Sequence, residues 1–250
     1  MLSAFCSALE QSVGHVSSRG RGMEVPDALR LLDQTDLAGK VMTGDAIFCQ
    51  KTITSKIMAK GGDYVFRSRG TRRPCWKRLK QPSASRSFPP SEALEPADLG
   101  HGRIDQRSIA LLPIEALSEQ MRAAWPTVRA IACLTRRRDH VRAGRVIKAE
   151  KETTFLITSL NAPTPEAILR FNRRHWSIEA MHRDKDVCLG EDGYTNRLGH
   201  APRNIFTLTS AVRTLLKQIH ASPTTAIEIM QDSRSKAVRL IAGRQETRLL

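Results

Sequence analysis

The chain has 250 residues, 40% of them hydrophobic and 5% aromatic, which suits one or two globular domains with a core that needs no staples. Forty lysines and arginines face 25 aspartates and glutamates, and the resulting +15 favours a polyanionic partner, nucleic acid before membrane, although a solvated basic surface has the same composition. Five scattered cysteines without a C-x-x-C pair argue against a disulfide framework or zinc knuckle, no run approaches the roughly 18 apolar residues of a membrane span, and the start lacks the basic n-region of a signal peptide, so a cytoplasmic location is expected.

In chain order, the apolar runs at residues 2–8 and 13–16 suit a β-hairpin, with a helical turn over 2–11 as the alternative. Pro26 opens a short helix that reaches about Gln34. Gly39 leads into a strand over residues 40–45 that ends on an acid, Asp45. Residues 50–60 read as a helix, with Ile53 and Ile57 four apart and Gly61-Gly62 as its stop. Residues 64–66 form a second strand, and this β-α-β order predicts parallel strands in an α/β sheet. Residues 67–107 are basic and rich in proline and serine, and read as a long exposed loop. Three β-like runs follow at 108–112, 128–134 and 154–160. A helix starts at Thr164-Pro165-Glu166, a favourable N-cap with proline in the first turn. Beyond a glycine-rich turn at 190–199, helices are predicted over 202–218 and 224–241.

The helix over residues 173–187 holds the most chemistry. At about 100° per residue, Glu179 shares a stripe with His175, His182 and Asp186. Phe171 and Ile178 flank it on one side, and Leu169, Trp176, Ala180 and Val187 on the other, so the acidic stripe is expected to face inward. Burying a carboxylate is costly without a partner or a metal, so such a helix would push Glu179 into a site. With Asp45 at a strand end, oxygen ligands in a basic protein suit a hard cation, Mg²⁺ or Mn²⁺, held by a few carboxylates and substrate phosphate. Two such ions about 4 Å apart would serve phosphodiester cleavage. Two other readings stand beside this one: a strand-end aspartate can simply cap a turn, and the histidines can either ligate zinc together with Glu179 or orient the helix through a His182–Asp186 pair.

His101 and Asp105 flank one turn that could position phosphate or water. Arg72, Arg73, Lys77 and Arg78 surround Trp76 in one basic patch, and Arg136, Arg137 and Arg138 form a second; either patch could contact DNA phosphates or be a solvated face.

Six strings occur in order: GKVMTGDA from Gly39, KGGDYVF from Lys60, HGRIDQR from His101, HWSIE from His175, GED from Gly190 and APRN from Ala201. Together they resemble the DDE transposases of the ISAs-type insertion sequences, also called H-repeat-associated proteins, from near Leu2 to at least Leu216. The resemblance implies a ribonuclease-H-like α/β fold: a mixed sheet with flanking helices, interrupted by a β-rich insertion before the helix carrying the last acid. The expected division is a partial core over 1–66, a basic loop and β-rich insertion over 67–160, and a helical completion over 161–250. It also implies a transposase that cleaves and joins DNA with two Mg²⁺ ions, as a homodimer in a synaptic complex, with Asp45 as the second aspartate and Glu179 as the glutamate. His101, Arg103, Trp176, His182 and Asp186 match the pattern as supporting or DNA-contacting residues.

Departures from the pattern bear on activity. The group's first aspartate lies on the strand ahead of the one matched by residues 2–8, and no acid here replaces it convincingly. Arg69-Gly70-Thr71-Arg72 stands where a K-G-N-Q-like turn is usual. An N-terminally truncated, impaired copy, or a DNA-binding remnant without catalysis, is therefore the expectation.

Overall fold

The structure, a computed structural model, describes residues 1–18, 20–68, 91–100, 102–117, 119–196 and 198–242. It divides into two compact units, one of Met1–Arg19 with Trp176–Leu250 and the other of Gly20–His175.

The second unit contains a seven-stranded mixed sheet. Its strands are β3 (Val41–Gly44), β4 (Asp63–Arg67), β5 (Ser91–Leu94), β6 (Asp98–Gly100), β7 (Arg103–Pro113), β8 (Ala130–Arg142) and β9 (Arg145–Thr158), in the order β3-β4-β9-β8-β7-β5 with β6 also beside β7. As the β-α-β order predicts, β3 and β4 run parallel, joined through α2 (Lys51–Ala59), and every other pairing is antiparallel. The apolar run Tyr64-Val65-Phe66 marks a strand covered on both faces, and all three side chains are buried. Val65 joins Ile109, Leu111, Ala130, Ala132, Leu134 and Leu156 in one core cluster, closed by Ile168 and Leu169 of a long helix. Tyr64 and Phe66 point to the opposite face, and burial pushes the Tyr64 hydroxyl up to about 12.

Helix α1 (Glu24–Gln34) buries Leu31 and Leu32 and packs on α2, which buries Ile53 and Ile57. Lys60 fastens the end of α1 by donating its ammonium protons to the carbonyls of Leu32, which also accepts from the Thr35 N–H, and Asp33, in the last turn, where carbonyls run short of helical partners.

Two expectations change here. Much of what reads as loop is strand: Ser91–Leu94, Asp98–Gly100 and the start of β7 lie there, because short antiparallel edge pairs need little apolar content. The three β-like runs are also longer than their apolar cores, since polar residues continue each strand outward in alternation. Residues 69–90 of the basic stretch lie outside the described residues.

The first unit pairs β1 (Leu2–Cys6) antiparallel with β2 (Gln11–Val16), the hairpin rather than the helical turn. A short helix α3 (Glu119–Ala124) precedes β8 in the second unit. Helix α4 (Pro165–Leu189) crosses the unit boundary, and α5 (Ala201–Ile219), α6 (Pro223–Gln231) and α7 (Arg234–Ile241) complete the first unit. The single helix expected over 224–241 is two, parted at Asp232-Ser233, residues whose side chains compete for backbone bonds. Ser222 caps α6 by accepting from the Thr225 N–H at 3.4 Å.

Candidate functional site

Asp45 follows the carboxyl end of β3, the end at which parallel strands of open α/β sheets form ligand crevices. Gly44 sits opposite Phe66 in the β3–β4 register, and a Cβ there would come within 3.0 Å of the Phe66 ring and 3.3 Å of Phe48. Any larger residue there would make the two rings give by a few tenths of an ångström. Asp45 then opens a 3₁₀ turn, Ala46–Phe48, with its backbone carbonyl accepting from the Phe48 N–H at 2.9 Å. Its carboxylate makes no capping bond, contrary to the capping alternative, and is 70% exposed.

The neighbour of that carboxylate is His175, whose Nε2 lies 3.6 Å from Asp45 Oδ1. His175 Nδ1 is 3.1 Å from the Thr43 hydroxyl. When the hydroxyl donates to Nδ1, the ring proton sits on Nε2 and is directed at Asp45. Thr43, His175 and Asp45 thus form a short polar row beside one exposed carboxylate, the His175–Asp45 contact at 3.6 Å being longer than a hydrogen bond. His175 reaches it because α4 starts at a Thr164 N-cap, whose hydroxyl accepts from the Ala167 N–H at 3.2 Å, and buries Ile168, Leu169 and Asn172.

In the first unit, the later part of α4 corrects the expected inward stripe. Glu179 and His182 are exposed, Trp176 is 46% exposed, and Asp186 is half-buried. The buried positions are Met181 and Lys185, with Ile178 half-buried. Met181 lies about 160° and Lys185 about 120° round the helix from Glu179, at 100° per residue. The sequence pattern assumed that the helix buries one stripe along its whole length; in fact its two parts bury different residues. Glu179 makes no ion pair with a lysine or arginine among the described residues. Desolvation, and then Lys185, lower the affinity of His182 for a proton. Desolvation, with Asp192 and Glu191 nearby, raises that of Asp186.

Lys185, which the helical spacing puts on the far, polar side of the helix, is fully buried. Its ammonium lies 2.7 Å from Glu191 Oε2 and 3.3 Å above the centre of the Phe206 ring. Thr209 donates its hydroxyl proton to the same Glu191 oxygen at 2.5 Å. Arg213, also buried, donates to Asp184 at 2.9 Å and to the Glu10 carbonyl at 2.9 Å. The string around Gly190 therefore supplies packing to this unit through Glu191. The available signal was spacing: Lys185 recurs four residues after Met181, on the buried side.

The second unit places Asp105 and the Arg136–Arg138 cluster together. Arg136 donates to both Asp105 oxygens at 3.2 and 2.9 Å, and Arg138 donates at 3.0 Å. Arg103 approaches at 3.8 Å and is 44% exposed. Burial raises the Asp105 carboxyl, but the two guanidiniums outweigh it and hold it at about 2. Asp105 is thus occupied by arginine rather than poised toward phosphate or water. Arg137, on the other face, pairs with Asp139 at 3.0 Å. His101, Arg72, Arg73, Lys77 and Arg78 lie outside the described residues.

Among the described residues no three His, Cys, Asp or Glu side chains gather closely enough to hold a metal ion, so His175, Glu179 and His182 form no zinc set. No described helix is long and apolar enough to cross a membrane.

No family model matches the sequence. Over 204 residues it is 26% identical to the "H repeat-associated putative transposase YhhI" of Escherichia coli strain K12, covering 80% of this chain and 53% of that protein. The same strain's "Putative protein YbfL" matches at 26% over 204 residues, again 80% of this chain and 53% of that one. The "Putative transposase YncI" of Escherichia coli O157:H7 matches at 24% over 224 residues, 87% of this chain and 56% of that protein. The chain spans about half the length of the curated relatives it matches.

Proposed function

We propose, from the premise that the chain belongs to the same family as the H repeat-associated transposases, that it acts on insertion-sequence DNA by metal-dependent strand cleavage and transfer. In this reading the core is ribonuclease-H-like, and Asp45 and Glu179 supply carboxylates to Mg²⁺ or Mn²⁺. The working form is a homodimer that brings two insertion-sequence ends together.

The observation that carries the proposal is the Asp45 carboxylate, which is exposed, uncapped and near His175 at the end of a parallel strand. Such a group suits a hard cation, because Mg²⁺ uses one or two carboxylates and completes its shell with water and substrate phosphates. Bound there, the metal would supply Lewis acidity at the scissile phosphate. The chain's own part is to present the acids. Thr43 bonds the His175 ring at Nδ1, which leaves Nε2 facing the Asp45 carboxylate. Arg103, Trp176, His182 and Asp186 are proposed DNA-contacting or supporting groups.

The test is cleavage and joining of a labelled donor duplex by the purified chain with Mg²⁺ or Mn²⁺. Asp45→Asn and Glu179→Gln should each abolish product while leaving DNA binding intact. Product that survives both substitutions overturns the assignment of these acids. A second reading, DNA binding without strand chemistry, is favoured by the +15 charge, which phosphate binding uses and cleavage does not require. Salt-sensitive binding with neither metal giving product would establish that reading instead.

A further inference from the structure

We infer that the turn end of the β8–β9 hairpin is a docking element for duplex DNA, with Arg142 and Arg145 against phosphates and Val146 and Ile147 against the groove wall. The inference rests on the reading of DNA as the partner.

Shape comes first. β7 accompanies β8 only as far as the Arg103–His140 pair, and β4 touches β9 only at Leu156–Thr158. Val141 lies opposite Val146 and still donates its N–H to the Gly102 carbonyl at 2.7 Å; beyond it the ribbon is two strands wide, with Arg142 opposite Arg145, closed by Ala143 and Gly144. Residues 142–149 are all exposed. A two-stranded ribbon fits the roughly 12 Å width of the major groove.

Charge is sorted along the ribbon. At its base most cations have carboxylate partners: Arg136 and Arg138 share Asp105, Arg137 pairs with Asp139, and Lys148 pairs with Glu150. At the end, Arg142 and Arg145 make no ion pair among the described residues, and they face each other directly in the register. Like charges in that position repel and loosen a hairpin. A polyanion set against both removes the repulsion.

The local choices at the end are unfavourable without such a partner. Val146 is 54% and Ile147 65% exposed. The register passes from the His140–Lys148 pair to the Val141–Val146 pair, so Ile147 is the extra residue of a bulge, a device that re-aims a side chain. Ala143 adopts φ +50° beside Gly144 at +75°, the handedness a two-residue hairpin turn needs, but in a residue that rarely supplies it. Exposed apolar side chains, opposed arginines and a strained turn residue at one spot mark a surface shaped for contact. Two aliphatic side chains without an aromatic ring suit a groove wall better than a lipid interface.

The experiment titrates the 250-residue chain against a fluorescent 30-base-pair duplex across a salt series. Wild type is compared with Arg142→Ala/Arg145→Ala, Arg142→Lys/Arg145→Lys and Val146→Ser/Ile147→Ser, each checked for a wild-type circular dichroism spectrum. Loss of two phosphate contacts should make the slope of log K against log salt shallower by about 1.8. The lysine variant should keep the wild-type slope, and the serine variant should weaken binding several-fold at unchanged slope. The inference is overturned if the alanine variant keeps wild-type affinity and slope, or if it loses more binding to phosphatidylserine vesicles than to duplex. If wild type binds the duplex and the variants bind equally well, the hairpin assignment alone fails. If wild type does not bind duplex at any salt concentration, the DNA reading falls with it.

Discussion

Replacing Asp105 by alanine should destabilise the sheet unit by about 2–3 kcal/mol at neutral pH. The carboxylate accepts three hydrogen bonds from Arg136 and Arg138, whose side chains are only 23% and 26% exposed. Removing it leaves two guanidiniums side by side, with only Glu150, 4.0 Å from Arg138, as counter-charge. Breaking a fully buried pair costs about 3–5 kcal/mol, and the partial exposure of these arginines lets water recover some of that. The pH dependence gives a second handle. The folded protein holds this carboxyl at about 2 against an ordinary value of 3.8, a gap of roughly 2.4 kcal/mol at 1.36 kcal/mol per pH unit and about 1–2 once solvent screening is allowed for. Because the folded value is the lower one, this stability is present above pH 3.8 and lost as pH falls through about 2. Urea unfolding followed by circular dichroism at pH 7, 4, 3 and 2 measures both effects. In thermal scans a loss of this size corresponds to about 5–10 °C for a chain this long. A D105A melting temperature within a degree of wild type refutes the reasoning. So does a D105A chain that keeps the wild-type loss of stability between pH 4 and 2.

Three further outcomes are expected. Gly44→Ala should cost about 1–3 kcal/mol, since its methyl would press on the Phe66 and Phe48 rings, and should displace Asp45, seen as chemical-shift changes centred on His175. Lys185→Ala should destabilise the first unit by about 3–5 kcal/mol in urea unfolding, because it opens a cavity and strands Glu191, whereas Lys185→Met should recover most of the loss. His182 binds its proton more weakly in the folded chain than in the unfolded one, so stability should be full above pH 6.5 and fall as pH drops below it. His182→Gln should flatten that dependence in thermal scans between pH 7.5 and 5.

The parts of the fold that were legible in the sequence are those fixed by local rules. The spacing of Ile53 and Ile57, the Gly61-Gly62 stop and the run Tyr64-Val65-Phe66 specify α2, β4 and their parallel partner β3. Pro165 behind a threonine fixes the start of α4. The direction in which Glu179 points was not legible, because it depends on what each part of α4 packs against, and helical periodicity carries no such information. Lys185 was hidden for a related reason: a lysine on a helix reads as solvated until Glu191 and Phe206, brought by tertiary structure, provide its charge partner and ring. The polar strands β8 and β9 run past their apolar cores because cross-strand ion pairs, such as Arg138 with Asp105, stand where burial would otherwise be needed. Asp45 was legible as a strand-end acid, but the polar row with Thr43 and His175 joins residues 132 apart and needed three dimensions.

The first unit is assembled from two stretches of chain synthesised far apart in time. The β1–β2 ribbon leaves the ribosome early, yet Arg213, which binds the Glu10 carbonyl, follows 203 residues later. At about 5–20 residues per second that is a wait of roughly 10–40 s. During it the Phe5 ring, which Arg213 later covers, stays open as apolar surface on which nascent chains can join one another. Yield of this protein should therefore respond to translation speed and to chaperones that shield nascent chains more than its final stability alone would suggest.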